Sequence, residues 1–270
     1  IYGDRETFRR YLPKILRYFD YLDSRSSGGL VCREEQGGWC LGDWCTPEPI
    51  AICEPFVNTA LYVKQMLMTK EAAEAIGENE TAQMLGRRIE EKRQAILNAY
   101  YSPQTGSFIG DVQGANSFAT DIGLGGERAY ENTRKKYSAA DSFDTGIFGT
   151  DILIRVLFER GDANTAFRLL TSEGKDSFYN MKKQGATTIW ENWDGERSHS
   201  HPMFGAATRY LFSFILGITQ EKTSAGYEHI LIAPQIPDGL NYASGHITTV
   251  RGKISVTFKR TESEADFYVT

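Results

Sequence analysis

Apolar residues recur at helical spacing over most of the first 217 positions and at strand spacing after them. Leu12, Ile15, Leu16, Phe19 and Leu22 mark one face of a helix over 12–22. A longer pattern predicts a helix from about Phe56 to Ile76. Gly77 stops it, since a glycine just past the last turn takes the left-handed conformation without a Cβ clash. Leu85, Ile89, Ala95, Ile96 and Ala99 predict the inward face of a third helix over 80–101, ahead of Ser102-Pro103. Shorter helices are expected at 116–124, 127–137, 145–159 and 162–172, with Asp144 capping the third of these and Asp162 the fourth. The stretch 202–216 holds Met203, Phe204, Tyr210, Leu211, Phe212, Phe214, Ile215 and Leu216, and predicts a buried helix.

Past Gly217 the period is two. His229 to Pro234 reads as a strand ending at a proline, Ile247–Val250 and Ile254–Phe258 as a hairpin about Arg251-Gly252-Lys253, and Phe267-Tyr268-Val269 as a further strand. The expected fold class is therefore mainly α over 1–218, followed by a small antiparallel β-sandwich domain over 219–270. A sheet cut at its last strand leaves an edge to be covered, so that second domain is expected to be incomplete.

Composition narrows the partners. Hydrophobic residues at 41% and aromatics at 12% supply a sizeable core and exclude a disordered chain. A formal charge of −5, with no basic block beyond Arg134-Lys135-Lys136, argues against nucleic acid as a partner. Apolar runs such as Ile152-Leu153-Ile154 are too short for a membrane segment. Cys32, Cys40, Cys45 and Cys53 form no C-x-x-C pair, so zinc is disfavoured; unpaired thiols and a local disulfide both fit the spacing. No metal, nucleotide or redox motif occurs, and no cofactor is expected.

Two loops hold all four tryptophans. In Gly185-Ala186-Thr187-Thr188-Ile189-Trp190-Glu191-Asn192-Trp193-Asp194-Gly195, one carboxylate stands between two indoles, just ahead of Ser198-His199-Ser200-His201-Pro202. In Gly37-Gly38-Trp39-Cys40-Leu41-Gly42-Asp43-Trp44, an acid and an indole pair again. Sugars offer apolar C–H faces to indoles and hydroxyls to carboxylates and imidazoles. The same patterns also suit core tryptophans beside a capping or surface acid. The shared tryptophans favour one site for a stacked ligand.

The stretches 185–195 and 198–205, with Leu41-Gly42-Asp43-Trp44, Asp144-Thr145-Gly146-Ile147-Phe148-Gly149-Thr150 and Gly226-Tyr227 in that order, resemble glycoside hydrolase family 78, the bacterial and fungal α-L-rhamnosidases. The resemblance covers nearly the whole chain, and 185–205 is its most specific part. It implies part of an (α/α)6 barrel followed by a β-sandwich, and hydrolysis with inversion of a terminal L-rhamnose on a glycoside or polysaccharide. It further implies Glu191 as general base, His201 as an imidazole of the sugar pocket, Trp44 as a stacking residue and Asp43 as a hydroxyl ligand. Trp190 and Trp193 are expected to frame the sugar. Asn192 replaces an arginine found in many members, and the Gly195–Ser200 link is short.

An inverting reaction needs a second, protonated carboxyl group. The family carries it in an Arg-Asp-Glu-Arg segment well ahead of Gly-Asp-Trp. Arg33-Glu34-Glu35 lies too close to that motif to be its counterpart. The acid is expected N-terminal to Ile1, in a remainder of the parent protein that would also complete the ring of helices. His229 and His246 are expected at the surface of the sandwich, and His199 in a loop role. Two alternatives stay open: another (α/α)6-barrel hydrolase, and a carbohydrate-binding fragment without turnover.

Overall fold

Helix α1 (Arg5–Ser24) starts where Asp4 accepts the Thr7 amide at 3.0 Å, and it buries Leu12 and Phe19 as the stripe predicts. A tight hairpin, β1 (Ser26–Ser27) and β2 (Leu30–Val31), turns the chain back. Helices α2 (Glu54–Ile76) and α3 (Asn79–Tyr100) pack together. Gly77 between them takes φ 84°, and Glu78 N–H closes on Ala73 O at 2.9 Å. Leu85, Ile89 and Ile96 face inward, but Ala99 is exposed. Lys92 is buried instead, its Nζ 2.8 Å from Asp23 Oδ1 and donating to Ser26 Oγ at 3.2 Å. A long side chain can bury its stem while a carboxylate receives its tip, which hydrophobic periodicity does not register.

The computed structural model describes residues 3–33, 35, 37–38, 41–261 and 264–270. It divides into one unit of Asp4–Ala139 with Phe143–Leu153, and a second built mainly from Ile154–Thr270. In the first unit, β3 (Tyr101–Ser102) and β4 (Ser107–Phe108) pair ahead of α4 (Ala115–Asp121) and α5 (Gly126–Ala139). Phe56 of α2 lies at the centre of Tyr100, Phe108 and Phe118, with ring centroids 5.4–6.3 Å apart. Each such buried ring contributes about 1.5–3 kcal/mol. Cys32 and Cys53 are free thiols, and Cys40 lies outside the described residues.

The second unit contains α7 (Ala163–Leu170), capped by Asp162 as expected, and α8 (Phe178–Lys183), which the sequence pattern misses. The predicted helix over 202–216 is not continuous. Pro202–Thr208 winds as a 3₁₀ turn and Leu211–Ile215 as a wide π turn, and Met203 and Phe212 are exposed. Leu216 N–H reaches Leu211 O at 2.9 Å, while Phe214 O accepts from Gln235 N–H at 2.8 Å. Gln235 thus satisfies one of the last carbonyls of this turn, which has no partner within it.

Strand β5 (Ile218–Gln220), too short for its period to show, pairs antiparallel with β6 (Ile230–Ile232). β7 (Tyr242–Thr249), β8 (Gly252–Arg260) and β9 (Ala265–Val269) form an antiparallel sheet in that order. Ile254, Val256 and Phe258 alternate into its buried face, and the first two cluster with Leu216 and Ile218. His229 and His246 are exposed. Among the described residues no helix is long and apolar enough to cross a membrane.

Helix α6 (Ile147–Glu159) begins in a way the local sequence does not predict. Asp144 does not cap it. Its Oδ1 accepts the Tyr137 hydroxyl at 2.6 Å and its Oδ2 lies 2.7 Å from Lys136 Nζ, so α5 claims both oxygens. The acceptor is Asp43, from a loop 103 positions earlier. Its Oδ2 receives Gly146 N–H at 2.7 Å, and its Oδ1 receives Phe148 N–H at 2.9 Å and Gly149 N–H at 3.0 Å. Trp44 O takes the Ile147 amide at 2.8 Å. A Cβ on Gly146 would stand 2.2 Å from Trp44 O, and one on Gly149 2.4 Å from Asp43 Oδ2. The spacing of the two glycines is the footprint of Asp43-Trp44.

Asp43→Asn turns an NH2 group toward a backbone N–H, and should lower stability by about 1–3 kcal/mol. Asp144→Asn weakens a partly exposed ion pair and should cost below about 1 kcal/mol. Equilibrium urea unfolding ranks the two, and a larger loss for Asp144→Asn would mean that Asp144 holds the helix after all.

Candidate active site

The loop after α8 is shaped by backbone pairing rather than by regular strands. Gly185 takes φ 91°, and Ala186 N–H closes α8 onto Met181 O at 3.0 Å. Residues 188–191 then run beside 198–201. Glu191 N–H donates to Ser198 O and His201 N–H to Ile189 O, both at 2.8 Å, while Thr188 Oγ1 donates to His199 O. The turn between is held by Gly195 N–H on Asn192 O and Glu196 N–H on Asp194 Oδ1. A Cβ on Gly195 would stand 2.5 Å from the Trp190 ring. Only glycine lets the turn lie against that indole.

Trp190 and Trp193 are buried, while Glu191 and Asn192 between them are partly exposed. Trp190 is 5% exposed, with the His199 imidazole stacked on it at 4.5 Å and 16°. His199 Nε2 also meets Gly195 O at 2.7 Å, so this histidine braces the turn. Trp193 is 2% exposed and packs against Phe178 at 5.3 Å and Phe204 at 4.2 Å. Both indoles serve as the packed underside of the loop, and their contacts fix where Glu191 stands.

Glu191 remains reachable. Its Oε2 accepts Ser198 N–H at 3.3 Å and lies 4.0 Å from His201 Nδ1; its Oε1 lies 3.8 Å from the Arg197 guanidinium. The structure thus brings Glu191 and His201 together, ten positions apart, and adds Arg197, which the sequence reading does not select. The one signal for Arg197 was its place in the short 195–200 link. A carboxylate with one amide donor and two cationic or polar neighbours keeps lone pairs for a water or a hydroxyl. Beside the loop lies a polar cavity of about 310 Å³, lined by Gln184, Thr187, Thr188, Trp190, Asp194 and His199.

Asp43 and Trp44 belong to the other unit. Asp43 is buried with both oxygens engaged by the start of α6. Burial pushes its carboxyl up to about 7, against the opposing pull of those three amides. Trp44 is partly buried, and Trp39 lies outside the described residues. Nearby, burial lifts Asp111 to about 6, with Lys136 acting to lower it. Among the described residues, no three His, Cys, Asp or Glu side chains are grouped to hold a metal ion.

Known proteins give this arrangement its context. Residues 1–215 match the bacterial α-L-rhamnosidase six-hairpin glycosidase domain, and residues 217–270 the bacterial α-L-rhamnosidase C-terminal domain. An α-L-rhamnosidase of Alteromonas sp. (strain LOR) is 26% identical over 99% of this chain, and one of Formosa agariphila 27% identical over 81%. The chain spans 31% and 26% of those two relatives. The crystal structure of Streptomyces avermitilis α-L-rhamnosidase complexed with L-rhamnose superposes with a TM-score of 0.85 at 23% identity, over all of this chain and 27% of its own. The α-L-rhamnosidase from Dictyoglumus thermophilum gives 0.86 at 19% identity, over all of this chain and 32% of its own. The fold is that of part of a six-hairpin barrel with a C-terminal β domain, and the chain belongs to the bacterial α-L-rhamnosidase family.

Proposed function

We propose that this chain supplies the general base and part of the sugar pocket for hydrolysis of terminal α-L-rhamnosides with inversion at the anomeric carbon. The observation that carries the reading is Glu191: a partly exposed carboxylate on a packed loop, 4.0 Å from His201, within the stretch that resembles the family signature. Glu191 takes a proton from a water as the water oxygen bonds to the anomeric carbon. The bond from that carbon to the aglycone breaks in the same step, and a second carboxyl group protonates the departing oxygen. In inverting enzymes the two groups stand ~6.5–9.5 Å apart, leaving room for the water.

The second group is assigned to a segment outside these residues. Glu35 pairs with Arg25, and Arg33 donates to Ser24 O and Ser26 O; Glu34 lies outside the described residues. His201 hydrogen-bonds a sugar hydroxyl beside the base, and Trp44 offers its ring to the apolar sugar face. Asp43 serves the pocket by holding Trp44, and Trp190 and Trp193 by holding Glu191. The barrel portion runs to residue 218 and the β-sandwich takes 219–270, a division supported by family matches that end at 215 and resume at 217.

Glu191→Gln in the full-length protein should lower kcat on an aryl α-L-rhamnoside by roughly 10³-fold with little change in KM, because it removes the proton acceptor of the transition state. Retention of more than about a tenth of the rate would assign the base elsewhere. His201→Ala and Trp44→Ala should each weaken L-rhamnose binding by about 1–3 kcal/mol in calorimetry. Unchanged affinity in both would move the pocket away from these residues.

A further inference from the structure

The segment between β4 and α4 has an unusual backbone. Ile109, Asp111 and Gln113 take φ of 49°, 61° and 43°, and Gly110 and Gly114 are left-handed as well. Left-handed φ is rare for residues with a Cβ, and rarest for a β-branched one such as isoleucine. Such strain persists only where surrounding contacts enforce it, and it concentrates at functional sites.

The contacts that enforce it converge on one side chain. Gln113 is 7% exposed, and its amide makes four hydrogen bonds to a single loop. Oε1 accepts Ala51 N–H at 2.7 Å and Ile52 N–H at 3.0 Å; Nε2 donates to Pro47 O at 3.0 Å and Pro49 O at 3.1 Å. Every donor and acceptor of the side chain faces that loop. Next to it, Gly114 is confined by Thr145, where a Cβ would stand 2.8 Å from Cγ2. Thr145 opens the turn whose amides hold Asp43. The loop is therefore tied at both ends, by Asp43 at one and by Gln113 at the other, and Trp44 lies between the ties.

We propose that Gln113 is a positioning residue for sugar binding, holding the 47–52 segment so that the Trp44 ring is fixed before the sugar arrives. This rests on the reading of Trp44 as a sugar contact. An indole held in place loses little freedom on binding, so a preformed wall binds more tightly than one that must order around its ligand.

The test uses the full-length protein with Gln113→Met, which keeps the volume and removes all four bonds, and Gln113→Glu, which keeps the acceptor and loses the donor. Each is combined with Trp44→Ala. Gln113→Met should weaken L-rhamnose binding and raise KM on an aryl α-L-rhamnoside roughly tenfold, with kcat within about threefold, and add almost nothing once Trp44 is alanine. Gln113→Glu turns a carboxylate oxygen toward the Pro47 and Pro49 carbonyls and should weaken binding at least as much. A merely structural role would lower Tm without this split and without coupling to Trp44. Full additivity with Trp44→Ala, or a loss confined to kcat, overturns the clamp. If Trp44→Ala alone changes nothing, the sugar contact fails and the clamp with it; if Trp44→Ala weakens binding and Gln113→Met does not, only the clamp fails. Should the variants not fold, hydrogen exchange on the unsubstituted protein decides. The Ala51 and Ile52 amides should be protected without sugar and unchanged by L-rhamnose. Rapid exchange that slows on adding the sugar overturns a preformed wall.

Discussion

The amides at the start of α6 need acceptors, and much of the first unit's loop structure follows from how they find them. A helix begins with N–H groups that have no partner inside it, and burying them unpaired costs as much as a lost hydrogen bond each. Here one carboxylate, Asp43, takes three and the neighbouring Trp44 carbonyl takes a fourth. The amides and the helix dipole favour the ionised carboxylate, against the burial that disfavours it. The arrangement requires close approach, which explains Gly146 and Gly149, and it ties the loop bearing Trp44 to a rigid element.

Asp43 and Glu191 show how environment divides two acids that look alike in sequence, each next to a tryptophan. Asp43 is dehydrated and its oxygens are occupied, so its chemistry is structural support. Glu191 accepts one amide, and its two nearest polar side chains stand 3.8 and 4.0 Å away. That spacing leaves carboxylate lone pairs for a water or a hydroxyl. The tryptophans divide along similar lines. Trp190 and Trp193 bury their rings against His199, Phe178 and Phe204, and so stiffen the loop from beneath. A carboxylate on a loop holds its position only if its supports are packed.

Much of this was legible in the chain. Helical periodicity marks α1 and α3 because one face of each meets a core; α2 is apolar on most sides and is marked by its length and by Gly77, which takes the left-handed conformation that turns the chain there. The switch to period two marks β7 and β8 for the same reason, one face buried and one wet. The tryptophan-rich loops and the Glu-to-His spacing identify the residues of the candidate site. What the sequence could not assign was the partner of each polar group. Asp144 looks like a helix cap, but Tyr137 and Lys136 reach it first, and Asp43 takes the amides of that helix instead. Gln113 carries no sequence signal, yet its amide meets four backbone groups more than 60 positions away. Local patterns record which face of an element is buried, since that depends on spacing along one helix or strand. Hydrogen-bond partners depend on which distant segments are brought within about 3 Å, and only the tertiary structure decides that.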